Sequence, residues 1–188
     1  NVLDAEGNRR RIAHAAEGQV GIEDYIKMIR LKTAVMLAGC LKASAILAHA
    51  SEADQQAIYD FGIHIGIAFQ LQDDVLDLYS DVEVFGKACG GDIRENKKTY
   101  LYLTALRDAD DEKRKKLQYY FSSTDFDFEE KLAAVKGIYE SLNIKEKTEN
   151  AINEYVAQAE KRLKAISVDE GRKQELYRMA DKLAHRDK

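Results

Sequence analysis

Three aspartates, Asp73, Asp74 and Asp77, are the only formally charged side chains between Phe61 and Tyr79, in the run FGIHIGIAFQLQDDVLDLYSD at residues 61–81. At about 100° per helical residue, Asp73 and Asp77 lie about 40° apart and Asp74 about 60° from Asp77, so the three carboxylates share one face. Gln70, one turn earlier, joins that stripe. The surrounding positions are mostly Ile, Leu, Val, Phe, Ala and Gly, and a helix apolar nearly all round is a buried one. Carboxylates within about 6 Å of one another in a dry interior repel and resist desolvation unless a cation neutralises them. The pattern therefore predicts its own counter-charge, either a hard divalent cation or a ring of Lys and Arg. Carboxylate donors with no neighbouring Cys favour Mg²⁺, or Mn²⁺, over zinc or copper. The spacing lacks the alternating acids and mid-loop glycine of a calcium-binding EF-hand. Standing alone, Asp-Asp-x-x-Asp also reads as a solvated acidic turn at a helix end. The apolar flank is what argues for a metal.

A second group of residues follows directly. The stretch DVEVFGKACGGDIRENKKTY, residues 81–100, holds Gly86, Gly90 and Gly91 together with Lys87, Arg94, Lys97 and Lys98. Its glycines allow positive φ and a close approach of backbone to a ligand. A basic loop beside a carboxylate cluster suits a metal-bound phosphate, held by the metal from one side and by ammonium groups from the other. Without the neighbouring acids the same loop would read as a solvated connector.

The elements that must position these groups are helices. The chain of 188 residues has no proline and 11 glycines, with 45% hydrophobic and 33% charged residues and a formal net charge of -4. That composition is globular, neither disordered nor basic enough for nucleic acid, and it predicts an all-α fold in one domain spanning 1–188. Cys40 and Cys89 stand far apart without CxxC spacing, which points to free thiols in a reducing, cytoplasmic setting. No uncharged run is long enough for a transmembrane segment and no signal-peptide pattern opens the chain. The first residue is not Met, which allows a processed or truncated start.

Along the chain, residues 1–18 are weakly helical with a basic triplet, Arg9 to Arg11, on a solvated face. From Ile22 a helical pattern runs to about His49, with apolar positions at Ile26, Ile29, Met36, Leu37, Cys40, Leu41 and Leu47. Lys32 and Thr33 mark where it turns from mixed to apolar; on periodicity alone Lys32 is a lysine that snorkels to the surface. Ser51 with Asp54 resembles a capping box that starts the helix carrying the aspartates, which reaches about Ser80. His64, inside it, reads as a core histidine. Beyond Thr99 the helical periodicity resumes: TYLYLTAL, DEKRKKLQYYF, a helix capped by Ser123 or Thr124 and ending near Asn143, a stripe from Ile152 to Ile166, and a last helix capped by Ser167 with Glu170. No polar constellation interrupts an apolar face in this half, which reads as packing.

Three pieces now stand in order: Lys32-Thr33 inside YIKMIRLKTAVML, FQLQDDVLD at 69–77, and GKACGGDIRENKKT at 86–99. Together they resemble the trans-isoprenyl diphosphate synthases, the head-to-tail polyprenyl synthetase family, and Gly18-Gln19 resembles that family's Gly-Gln. The resemblance implies an antiparallel helix bundle of the isoprenoid synthase type, incomplete at the N-terminus, and a homodimer. It implies that Asp73 and Asp74, with Asp77 supporting, hold Mg²⁺ against the diphosphate of an allylic substrate. Lys32, Lys87 and Lys97 would contact diphosphate, Thr33 and Gln70 would line the space where positive charge develops, and Asp92 would stand behind the metal and phosphate. The implied reaction is prenyl transfer from the allylic diphosphate to isopentenyl diphosphate through an allylic cation.

Two departures bear on that expectation. The family's earlier aspartate-rich motif is absent, and the stretch between Gln19 and Tyr25 is shorter than in relatives. The chain therefore looks like the C-terminal portion of a family member, with negligible turnover expected of these 188 residues alone. The alternative is a non-catalytic helical subunit that regulates or scaffolds an active prenyl synthase. A terpene cyclase shares the acidic metal site but lacks the Lys-Thr and GGDI…KKT elements.

Overall fold

The structure, a computed structural model, describes residues 20–80, 89–122 and 127–184, and it is all-helical over them. In chain order come α1 (Ile22–Ile29), a π-helical segment (Arg30–Ala34), α2 (Val35–Leu47), α3 (Glu52–Tyr79), α4 (Gly91–Arg94), α5 (Tyr100–Asp108), α6 (Asp111–Ser122), α7 (Phe128–Ser141), α8 (Ile144–Lys164) and α9 (Glu170–Ala184). The reading of residues 1–18, and of Ser123 and Thr124 as caps, falls outside the described residues.

Helix α3, the acidic one, is the axis of the packing. Its 28 residues begin at Ser51, whose hydroxyl accepts the Asp54 amide at 3.1 Å. That is the expected cap, and it satisfies a donor that has no partner inside the helix. The Asp54 carboxylate reaches away to Ser167, accepting its amide at 2.8 Å and its hydroxyl as well, which pins the start of α3 to the α8–α9 junction. Ser167 thereby donates its hydroxyl to the acid of α3 and does not cap α9; Asp169, accepting from the Gly171 amide at 2.8 Å, takes that place. Likewise α7 is capped by Asp127, whose carboxylate accepts from the Glu130 amide at 3.0 Å.

Two apolar clusters meet on α3. Its first half contributes Ile58, Phe61 and Ile65 to a cluster with Ala159, Leu163, Ile166 and Ala180 from α8, the following turn and α9. Its second half contributes Ile67, Leu71, Val75 and Leu78 to a larger one with α1, α5, α6, α7 and the start of α8. The stripe predicted from Ile152 to Ile166 faces inward as expected, Tyr155 being only half-buried. Among the described residues no helix is long and apolar enough to cross a membrane.

The helix expected from Ile22 to His49 differs in two ways. It opens into a π turn at Arg30–Ala34, where Lys32 and Thr33 lie. In addition, α2 faces α3 through its small residues: Ala38 is buried while Met36 is 72% and Leu47 81% exposed. The cause is a close crossing. A Cβ placed on Gly62 would stand 2.6 Å from the Ala38 Cα, and one on Gly66 would stand 2.6 Å from both the Cα and Cβ of Ala34. Glycines four apart on α3 meet alanines four apart on the π segment and α2, so the backbones themselves are in contact. The apolar periodicity of the large residues points elsewhere.

Candidate functional site

The close crossing is what brings the Lys-Thr segment to the acidic helix. The Thr33 hydroxyl donates to Gln70 Oε1 at 3.2 Å, and Gln70 Nε2 donates to Asp73 Oδ2 at 3.4 Å. A π turn carries one extra residue relative to an α-helix, and such turns recur at functional sites. Here the turn aims Thr33 inward at Gln70 while Lys32, one residue before, is exposed. Three of the predicted residues thus form one hydrogen-bonded line, with Lys32 above it.

Asp74 faces the other way. Its Oδ2 accepts from the Tyr25 hydroxyl at 2.7 Å and from the Tyr100 amide at 3.3 Å, so α1 and α5 both dock on this carboxylate. Burial pushes the Asp74 carboxyl up to about 7, against the pull of the Tyr25 hydrogen bond. Burial, then the adjacent Asp74 charge, raises the Tyr25 hydroxyl well above its ordinary range. Tyr25 is the residue that sequence reasoning missed. Its signal was a hydroxyl-tipped aromatic on the apolar face of α1, since a buried tyrosine hydroxyl needs a partner.

Asp77 is turned toward the glycine-rich stretch. It accepts the Asp92 amide at 2.9 Å, and its own carbonyl accepts the Gly90 amide at 2.7 Å. Gly90 has φ 81°, the left-handed conformation expected of this glycine-rich turn. Gly91 lets the backbone approach the acid, since a Cβ there would lie 3.0 Å from Asp77 Oδ1. Burial raises the Asp77 carboxyl. Lys97 Nζ donates to Asp92 Oδ1 at 2.8 Å and lies 3.0 Å from Glu95 Oε2. Burial pulls the Lys97 ammonium down, but the hydrogen bonds to Asp92 and Glu95 outweigh it and push it up to about 12. Asp77, Asp92 and Lys97 thus form a second connected line. Lys87 lies outside the described residues. His64 takes its core position, half-buried, with Nδ1 buried and without a hydrogen-bond partner.

The carboxylate oxygens are hard donors of the kind Mg²⁺ takes, so the donor chemistry fits that ion. The placement is another matter: among the described residues no group of three or more His, Cys, Asp and Glu side chains gathers closely enough to hold a metal ion. The three aspartates share a face, as the helical spacing required, yet each is turned to a different neighbour.

Comparison with known proteins identifies the family and the fold. The family model for polyprenyl synthetase matches residues 3–141. A short chain isoprenyl diphosphate synthase of Methanothermobacter thermautotrophicus is 35% identical over 150 residues, 80% of this chain and 45% of that enzyme. A crystal structure of geranylgeranyl pyrophosphate synthase superposes with a TM-score of 0.86 at 36% identity, over 97% of this chain and 57% of that one. Another, geranylgeranyl pyrophosphate synthase from Corynebacterium glutamicum complexed with isoprenyl diphosphate and magnesium, gives a TM-score of 0.83 at 25% identity, over 97% of this chain and 52% of that one. The chain therefore spans about half the length of the proteins it resembles. The family match over residues 3–141 and the shared all-helical fold show that this chain belongs to the polyprenyl synthetase family, the trans-isoprenyl diphosphate synthases.

Proposed function

We propose that this chain carries the diphosphate-leaving half of a prenyltransferase that condenses isopentenyl diphosphate with an allylic diphosphate. The observation that carries the reading is the line from Thr33 through Gln70 to Asp73, which sets the Lys32 segment beside the acidic helix. Asp73, with Asp74 and Asp77, would hold Mg²⁺, with Mn²⁺ as a substitute, and the ion would supply charge neutralisation to the departing diphosphate. A relative of the same fold is known in complex with isoprenyl diphosphate and magnesium, which supports both assignments. Lys32, Lys87 and Lys97 would bind diphosphate oxygens, Lys97 after exchanging part of its bond with Asp92. The Gln70 side-chain oxygen and the Thr33 hydroxyl, locked together, present fixed dipoles where allylic positive charge develops. The apolar residues around Gln70 on α3 would help to keep water from that cation.

Because the family's earlier aspartate-rich motif is absent from this sequence, we assign negligible turnover to the 188 residues on their own. The complete bundle would be active and homodimeric. Free Cys40 and Cys89 support a reducing, cytoplasmic compartment. The test is product formation from isopentenyl and allylic diphosphates by the complete bundle. Replacing Asp73 by Ala should cost at least about a thousandfold in kcat, and unchanged kinetics would remove Asp73 from the reaction.

One observation favours the second reading, a non-catalytic subunit of an active prenyl synthase. Leu31, Met36, Ile46 and Leu47 leave an apolar face on the π segment and α2 at exposures of 61, 72, 50 and 81%. An active synthase seated on that face would explain it. Turnover in the complete chain without a second protein would exclude this reading.

A further inference from the structure

The geometry points to Tyr25 as a positioning residue of the diphosphate site: we infer that its hydroxyl, through Asp74, fixes where the Lys32–Thr33 segment sits over the acidic helix. The inference rests on the reading of that site given above. Lys32 is exposed, so its ammonium is aimed by the backbone beneath it and not by a packed side chain. That backbone, from α1 into the π turn, is tied to α3 by polar contacts at two points. One is Thr33 to Gln70 at 3.2 Å; the other is Tyr25 to Asp74 at 2.7 Å, eight residues earlier. Eight helical residues cover about 12 Å, and because one of them is the extra residue of the π turn they complete roughly two turns, so both contacts fall on the same side of the segment.

Two ties on adjacent turns of α3 fix translation and rotation together, whereas one leaves the segment free to pivot about it. The Tyr25 ring is 8% exposed and its hydroxyl meets a part-buried carboxylate, so little room is left for water to take over the bond when it is lost. The same Asp74 oxygen takes the Tyr100 amide at 3.3 Å, which ties α5 into the same point. A π turn adds to the need for such a brace, because it lacks the regular spacing that would let an α-helix hold its own register.

The experiment is a ³¹P NMR titration of pyrophosphate with Mg²⁺ against the 188-residue chain and three variants. Tyr25→Phe keeps the ring and removes only the hydroxyl; Ile29→Val trims a buried side chain on the same helix and touches no polar group; Lys32→Ala probes the site itself. Tyr25→Phe is expected to weaken pyrophosphate binding about tenfold, the loss of one charge-assisted bond, while Ile29→Val, with a similar fall in Tm, leaves affinity unchanged. Equal losses of affinity in both, or none in Tyr25→Phe, would show a packing role alone and overturn the inference. If the parent fails to bind, or Lys32→Ala binds as the parent does, the site reading fails and the inference goes with it. Loss in Lys32→Ala with none in Tyr25→Phe removes the inference and leaves the site.

Discussion

Substituting Gly66 by Ala tests the crossing on which the site depends. The added Cβ would lie 2.6 Å from the Ala34 Cα and 2.6 Å from its Cβ. Carbon atoms rest about 3.5 to 4.0 Å apart, so α3 and the π segment must retreat by about 1 Å. Overpacking of this kind costs about 1 to 3 kcal/mol, and here the obstacle is backbone, which cannot rotate aside. The gain in helix propensity from Gly to Ala returns up to about 1 kcal/mol. With a backbone obstacle placing the cost at the upper end, about 3 kcal/mol, the net expectation is a loss of about 2 kcal/mol, or a fall in Tm of about 4 to 8 °C for a chain of this size. A retreat of that size also stretches the Thr33–Gln70 hydrogen bond from 3.2 Å beyond bonding distance. Gly39→Ala is the control: a Cβ there meets nothing within 4 Å, so the propensity gain stands alone and Tm should rise. Thermal unfolding followed by circular dichroism reads both. A Gly66→Ala protein as stable as the parent would refute the close crossing.

Three further expectations rest on other parts of the site. Asp74 has its folded pKa raised to about 7, so the folded chain takes up a proton that the unfolded chain, with an ordinary aspartate, does not. Metal-free stability should therefore rise by a few kcal/mol as pH falls from about 7 to about 4 and be lost again as pH rises through the folded value. Asp74→Asn, which keeps one oxygen for Tyr25 and Tyr100, should flatten that slope in denaturant titrations at several pH values. Gly90→Ala imposes a side chain at φ 81° and brings its Cβ to 2.6 Å from Leu132 Cδ1, so urea unfolding should show a loss of about 1 to 3 kcal/mol. Asp73→Ala in metal-free chain should leave Tm unchanged or higher, because one repelling carboxylate is gone; a large fall would assign Asp73 to the fold.

The sequence made the central acidic helix legible and hid the contacts around it. Asp73, Asp74 and Asp77 are found on one helix because an acidic i, i+1, i+4 pattern inside an apolar run has few other meanings, and the Ser51 cap is local chemistry that the chain states directly. Tyr25 escaped because its partner is 49 residues away and a tyrosine on an apolar stripe looks like any other core residue. The facing of α2 was misread for a different reason. Its large residues, Met36 and Leu47, follow helical spacing, but the contact is made by Ala34 and Ala38, which carry little weight in a hydrophobic pattern. Ser167 shows the same limit at a helix start, where Ser167 and Asp169 compete as caps and a distant acid, Asp54, takes the serine. The π turn at Arg30–Ala34 escaped because a single helical period was read straight through RLKTA, whereas one added residue rotates the face that follows by about 100°.

The account stands most directly on where a divalent ion and a pyrophosphate bind. Crystals of the complete bundle, soaked with Mn²⁺ and pyrophosphate and measured at the manganese edge, should show an anomalous peak about 2.1 Å from a carboxylate oxygen of Asp73, with pyrophosphate oxygens within reach of Lys32. A peak elsewhere, or pyrophosphate seated away from both Asp73 and Lys32, would contradict it.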